Sequence, residues 1–406
     1  MRQLAFSHNQ RVIIAEGCTN PNTIDARIAE MFEICRILPD RLDAHIIIKP
    51  NLNNDINGLM GNATDLRVLA GVLRYLHSRG YSQIAIAEGP NGGTVRRGID
   101  VFRRLRVDRL AAVYGATIID VNSAPARRIQ LPTGDMVEIA DLFWRAGIII
   151  NLPKIKTHWE TGLTLSTKNL MGCIKGLSKK VMHNHLVTNL LAVNSLVVPA
   201  MHIVDGLLAM EGQGPGDGRP KRLNLLVAGT DNYLVDGVIT KLVGFDLSDV
   251  TYIHAAIQTG HLTADDIREL SQIRSITKLI PSHQSRITKL ATHRRVTAVR
   301  NALRPVFQYP LVNRLLVKLG IMQDIYVEQD DKITALDINS SACTDCDRCI
   351  NVCPMKLNPR RQLNERQCIG CLYCVMVCPT AAITWSGQPG FLASQMNRFG
   401  NKLKKV

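Results

Sequence analysis

Two cysteine runs near the C-terminus constrain this chain more than any other feature: Cys343-Thr-Asp-Cys346-Asp-Arg-Cys349-Ile-Asn-Val-Cys353-Pro354 and Cys368-Ile-Gly-Cys371-Leu-Tyr-Cys374-Val-Met-Val-Cys378-Pro379. Each has the spacing C-x₂-C-x₂-C-x₃-C-P, in which three closely spaced thiolates wrap one iron–sulfur cube and the fourth reaches its neighbour. The spacing predicts two [4Fe–4S] clusters. One would be held by Cys343, Cys346, Cys349 and Cys378, the other by Cys368, Cys371, Cys374 and Cys353. A zinc ribbon would want two C-x₂-C pairs farther apart, and a disulfide framework belongs to small secreted domains. Cys18, Cys35 and Cys173 stand alone; isolated cysteines commonly serve as small buried hydrophobes.

The doubled run resembles the bacterial-type two-cluster ferredoxin over Ile333 to Trp385, with Asp337, Ala381-Ala382-Ile383 and Trp385 in flanking short strands. Such a module accounts for a small part of 406 residues, and a hydrophobic fraction of 46% leaves room for a full-sized core elsewhere.

Before about residue 280, β-branched runs alternate with helical patterns, the signature of an α/β fold with a mainly parallel sheet flanked by helices. The expected strands are Val12–Ala15, Ala44–Lys49, Ile84–Ala87, Thr117–Asp120, Gly147–Ile150, Met201–Val204 and Asn224–Ala228. Expected helices include Thr64–Arg79, with an apolar stripe of Leu66, Leu69, Leu73 and Leu76, and Asn232–Val243, capped by Asp231. The expected organisation is an α/β domain over 1–280, a basic helical linker over 281–332, an α+β ferredoxin-type domain over 333–386 and a basic tail over 387–406.

The apolar runs end in Lys49-Pro50-Asn51, Glu88-Gly89-Pro90, Asn151-Leu-Pro153-Lys154, Asp205-Gly206 and Gly229-Thr-Asp231. Ligands of open parallel sheets bind at the carboxyl ends of the strands, so these residues are expected to line one polar crevice. The densest stretch runs from Asn151 to Gly176 and gathers Lys154, Lys156, His158, Lys168, Asn169 and Cys173; His183 and His185 follow. Ammonium groups and amides in this number suit an anion. Lys154, His158 and Glu88 are the catalytic candidates; Lys49, Asn51, Lys156, Lys168, Asn169, Glu211 and Asp231 are the substrate-binding candidates. The glycine-rich loop Glu211–Lys221 contains neither a phosphate loop nor a dinucleotide fingerprint.

These blocks resemble the domain of unknown function 362 family, through Lys49-Pro50-Asn51, Pro153-Lys154-Ile-Lys156-Thr-His158, Lys168-Asn169-Leu-Met-Gly172, the Asp205-to-Pro215 run and Gly229-x-Asp231-x₄-Asp236. The resemblance spans about Ile13 to His261 and implies a redox-associated α/β protein. Where family members often carry Thr-Asp-Pro, this chain has Thr64-Asp65-Leu66.

The formal net charge of +15 is concentrated: Arg286, Lys289, Arg294, Arg295, Arg300, Arg304, Arg314 and Lys318 occur without an intervening acid. Interleaved leucines suit a linker helix packed between domains, or a basic amphipathic helix docking an acidic protein or lying on an anionic membrane. Scarce aromatic platforms and absent motifs disfavour nucleic acid. With no apolar signal near Met1 and thiolate clusters that need reducing conditions, the expected setting is the cytoplasm, with peripheral membrane contact through the basic helix.

The leading expectation is an iron–sulfur oxidoreductase that exchanges electrons with a donor or acceptor protein and acts on an anionic small molecule. Two alternatives stand beside it. One is a non-catalytic electron-transfer subunit; the other is a protein holding a further metal or cofactor through His158, His183, His185, Asp205 and Asp231, regulated by its clusters.

Overall fold

The structure, a computed structural model, describes residues 1–176, 178–282, 327, 329–360 and 367–403. The basic segment from Arg286 to Lys318 lies outside the described residues.

In chain order the strands are β1 (Arg2–Ala5), β2 (Arg11–Ala15), β3 (Ile46–Pro50), β4 (Ile84–Glu88), β5 (Thr117–Asp120), β6 (Ala126–Gln130), β7 (Met136–Ala140), β8 (Ile148–Leu152), β9 (Lys154–His158), β10 (Gly162–Thr164), β11 (Met201–Glu211), β12 (Arg219–Gly229), β13 (Lys332–Ile338) and β14 (Ile383–Gln388). A 10-stranded sheet runs β1-β2-β12-β11-β8-β3-β4-β5, with β9 alongside β11 and β10 alongside β9. From β11 through β8, β3 and β4 to β5 every pairing is parallel; β12, β2 and β1 complete the other side antiparallel. The isoleucine runs of β3 and β8 pair residue for residue, Ile46 with Ile148 and Ile48 with Ile150. β-Branched chains suit such a sheet, because its central strands are covered on both faces.

The expected strands are all present, and the two that became β11 and β12 run well past their expected limits. Asp205 does not end its strand: β11 continues to Glu211 through an irregularity between Gly206 and Leu208, and forms a long hairpin with β12. Lys154–His158, not among the expected strands, is a fully buried strand. Its lysines can enter the interior because acceptors distant in sequence meet them there.

The Leu66–Ser78 helix is capped by Asp65, whose carboxylate accepts from the Arg67 amide at 2.9 Å. Its expected stripe of Leu66, Leu69, Leu73 and Leu76 is buried. The Asn232–Leu242 helix is capped as expected, Asp231 accepting from the Leu234 amide at 2.8 Å.

The cysteine-bearing module shares one apolar cluster with a face of the large sheet: Leu66 and Leu69 lie in the same packed group as Tyr373, Met376 and Phe391. Its strands β13 and β14 pair antiparallel, Ile338 opposite Ile383. The Tyr373–Val377 helix is buried throughout. Arginines of the large domain hold the cysteine loops by their carbonyls: Arg67 Nη1 to Asn351 O at 3.2 Å, Arg74 Nη1 to Pro354 O at 2.7 Å and Arg106 Nε to Gly370 O at 3.1 Å. Residues 390–403, expected as tail, form a helix. That helix seats Phe391 beneath the Arg104 guanidinium and donates from Gln395 Nε2 to Asp55 O at 2.7 Å. No described helix is long and apolar enough to cross a membrane.

Candidate functional site

At the carboxyl ends of β3 and β4 lies a cavity of about 280 Å³, bounded by Asn51, Glu88, Lys156, His158, Lys168 and Asn169 among others. A chain of amides forms its floor. Lys156 Nζ donates to Asn51 Oδ1 at 2.8 Å, Asn51 Nδ2 to Asn169 Oδ1 at 2.8 Å, and Asn169 Nδ2 to Asn151 Oδ1 at 2.7 Å. Each amide therefore has a fixed direction, which leaves Lys156 as the donor at the cavity end.

Beneath this floor Lys49 Nζ meets Glu88 Oε2 at 3.1 Å, both side chains buried, and the Leu52 amide donates to the same oxygen at 3.0 Å. Gly172 covers the pair. A Cβ there would overlap Glu88 Oε1 and stand 2.5 Å from Lys49 Nζ, so glycine is what the packing admits.

The short Ser166–Asn169 helix delivers Lys168 and Asn169. Its start is held by Asp236, whose carboxylate accepts from the Ser166 amide at 2.8 Å and the Thr167 amide at 2.9 Å. Burial pushes the Asp236 carboxyl up to about 6, against those hydrogen bonds.

Lys168 Nζ is 2.9 Å from His158 Nε2. Burial lowers Lys168 to about 8, with Glu160 opposing, and lowers Lys156 to about 7, with Lys168 and Lys154 adding. His158 is held well below its ordinary value, first by burial and then by the two lysines. The site thus sheds protons readily while still offering positive charge to an anion, which would restore the ammonium forms on binding.

Four sequence candidates stand outside the cavity wall. Lys49 is under the floor. Lys154 is sealed in the interior, its Nζ 2.8 Å from Asp205 Oδ2 with neither side chain exposed. Glu211 pairs with Arg219 at 2.9 Å and accepts from the Ile280 amide; Asp231 is a helix cap. Sequence reasoning passed over Lys179, which lines the cavity and donates to Pro90 O at 3.0 Å and to Gly89 O. Its place in the same lysine-rich stretch was the available signal.

The residues considered for a further metal do not converge: His183 Nδ1 meets Glu160 at 3.0 Å, His185 Nδ1 meets Asp135 at 3.0 Å, and Asp205 holds Lys154. Among the described residues no group of three or more His, Cys, Asp or Glu is arranged around a single metal ion.

The cysteines of the C-terminal module are all free of disulfides. Burial raises Cys374, and the neighbouring sulfurs of Cys353 and Cys368 raise it further; Cys371 is raised by burial and by Cys374, Cys353 and Cys368. These four thiols are electrostatic neighbours without converging on one point, which fits thiolates each bound to a separate iron of a cube. Backbone amides aim at two of the fourth-position sulfurs: Leu357 N at Cys353 Sγ, 3.4 Å, and Ala382 N at Cys378 Sγ, 3.2 Å. Metal-bound thiolates accept such bonds, so the residues fit the cluster.

From the cysteine module a buried polar chain runs into the large domain as far as Lys154 on β9. The Tyr373 hydroxyl is 3.5 Å from the Leu66 amide; beside it Asp65 is locked to Arg67 at 2.8 Å. Burial opposes charge on Asp65, but Arg67 and Lys154 hold its carboxyl below the usual range. The Asp65 amide donates to Asp205 Oδ2 at 2.7 Å, the same oxygen that holds Lys154 on β9.

A parallel-cored α/β domain with a basic, amide-floored crevice, packed against an iron–sulfur module, is the class of protein these features define. Residues 46–241 match the family described as Domain of unknown function (DUF362), and residues 362–384 match the 4Fe-4S binding domain. The chain thus carries a DUF362 domain and a C-terminal ferredoxin module of the kind that holds a 4Fe–4S cluster and serves electron transfer.

A thylakoid-associated protein of Synechocystis is 34% identical over 122 residues, covering 28% of this chain. The chain spans 38% of that relative's length. Among solved structures, the lactate racemase apoprotein of Thermoanaerobacterium thermosaccharolyticum is a distant neighbour, with a TM-score of 0.30 and 12% identity over 54% of each chain.

Proposed function

We propose that this protein is an iron–sulfur oxidoreductase acting on an anionic small molecule in the crevice, with single electrons supplied through two [4Fe–4S] clusters. Cys343, Cys346, Cys349 and Cys378 hold one cluster; Cys368, Cys371, Cys374 and Cys353 hold the other. Lys156, Asn51 and Asn169 receive the anionic group of the substrate. Thr164 Oγ1, buried in the cavity wall without a hydrogen-bond partner, supplies a further donor. His158 and Glu88 handle protons. Lys49 and Lys154 act from beneath the surface by fixing Glu88 and Asp205. The supporting observation is the seating of Tyr373, between Cys371 and Cys374, against the polar chain that leads to β9.

The test uses anaerobic, dithionite-reduced protein mixed with a panel of carboxylates and phosphates, cluster reoxidation being followed by absorption and electron paramagnetic resonance. Reoxidation by one compound, abolished in Lys156→Met and His158→Asn with cluster spectra unchanged, is the expected result. Reoxidation indifferent to both substitutions overturns the reading.

A second reading is a non-catalytic electron-transfer subunit docked to a protein or membrane surface. The thylakoid association of the Synechocystis relative and the basic run Arg286–Lys318 favour it. Sedimentation with anionic vesicles, lost when Arg294, Arg295 and Arg300 are neutralised, is its test.

A further inference from the structure

Two hydrogen bonds together fix where the protons sit in the His158–Lys168 pair. The Glu160 amide donates to His158 Nδ1 at 3.1 Å, so Nδ1 carries a lone pair. A neutral imidazole then bears its proton on Nε2. Nε2 faces Lys168 Nζ at 2.9 Å. An ammonium has no lone pair and would set donor against donor; an uncharged amine accepts from Nε2–H.

The surroundings agree. His158 and Lys156 approach Lys168 from β9 and Glu160 from the turn after it, and His183 lines the same cavity. Glu160, the carboxylate that favours the ammonium form, is engaged with His183. A lysine becomes nucleophilic when desolvated, and Lys168 is held in a desolvated pocket.

We propose that Lys168 is the nucleophile of the crevice and forms an imine with the carbonyl group of a 2-oxo acid. This rests on the anion-binding reading of the crevice and adds the substrate class to it. The carboxylate is taken by Lys156 and the Asn51 and Asn169 amides. The Nζ lone pair turns from Nε2–H to the carbonyl carbon, forming an N–C bond while the C=O π pair moves to oxygen. His158 Nε2–H donates a proton to that oxygen, and the nitrogen's surplus proton returns to His158. Loss of the hydroxyl as water, after a second proton transfer, leaves the imine. Amine plus carbonyl gives imine plus water, with no electron gained or lost. A protonated imine draws electron density from its carbon, so the same carbon becomes a better electron acceptor, in keeping with an iron–sulfur module packed nearby.

The experiment treats the anaerobic, cluster-loaded full-length protein with glyoxylate and cyanoborohydride, which converts an imine irreversibly into a secondary amine, and maps the product by peptide mass spectrometry. Modification concentrated on Lys168 is expected. Its yield at a fixed short time should rise as pH passes through about 8, and the midpoint should move in His158→Asn, a change that lost folding would not mimic. Lys168→Arg, with absorption and melting unchanged, should lose the product.

Modification spread over surface lysines, or centred on Lys156, overturns the proposal. Acetic anhydride labelling separates the two levels. If glyoxylate shields Lys156 from acetylation but leaves Lys168 unmodified, the imine is refuted and the anion site stands; if it shields neither, both fall.

Discussion

Gly172 lies against Glu88 so closely that a single added methyl group has no place to go. The carboxylate is pinned by Lys49 Nζ and two backbone amides, those of Leu52 and Gly89, and cannot step aside without breaking a buried ion pair. Gly172→Ala is expected to destabilise the fold by ~1–3 kcal/mol, the usual cost of overpacking. Chemical denaturation measures it, and Glu88→Gln in the same background should recover little, since the clash is steric.

Lys154 and Lys156 are two residues apart yet call for opposite outcomes. Lys154→Met strands the Asp205 carboxylate in the interior and should cost ~3–5 kcal/mol of stability, with Lys154→Met/Asp205→Leu recovering part of the loss. Lys156→Met removes the cavity's inward donor and should weaken anion binding at least tenfold with a smaller change in melting. Calorimetric titration and thermal melts on the same samples distinguish the two.

Anion affinity should fall as pH rises through about 7, where Lys156 loses its proton in the unliganded protein. Stability runs the other way. Burial depresses the Lys156 value below that of the unfolded chain, so above about 7 the unfolded state binds the extra proton, and this residue's contribution to unfolding free energy increases with pH until the unfolded lysine titrates at ~10.4. Binding and unfolding measured from pH 6 to 10 should therefore show opposite trends, and Lys156→Met should flatten both.

The crossed ligand assignment predicts which iron is lost. Cys353→Ala should deplete the cluster bound by Cys368, Cys371 and Cys374, and Cys378→Ala its partner, each lowering iron from about eight to about four per chain. Iron and sulfide counts with distinct paramagnetic spectra for the two variants are the check; identical spectra would contradict the assignment.

Much of the architecture was legible because local rules and the final environment agree. Isoleucine runs became the parallel centre of the sheet, Asp231 capped its helix, and the cysteine spacing named its chemistry. Lys-Ile-Lys-Thr-His could not be read as a buried strand, since the acceptors that admit its lysines, Asn51 and Asp205, are supplied by distant chain segments. Asp205 looked like a strand end because Gly206 follows it, yet β11 passes through an irregularity and continues. The functional weight of Gly172 was hidden for a similar reason: a glycine's neighbours are fixed by folding, not by its sequence.

The Tyr373–Val377 helix carries a cluster cysteine while every one of its residues is covered by protein. Its apolar residues belong to the same packed cluster as Leu66 and Leu69 of the large domain, so pulling the module away would lay bare the interior of both, and the two parts of the chain are expected to melt together rather than one after the other.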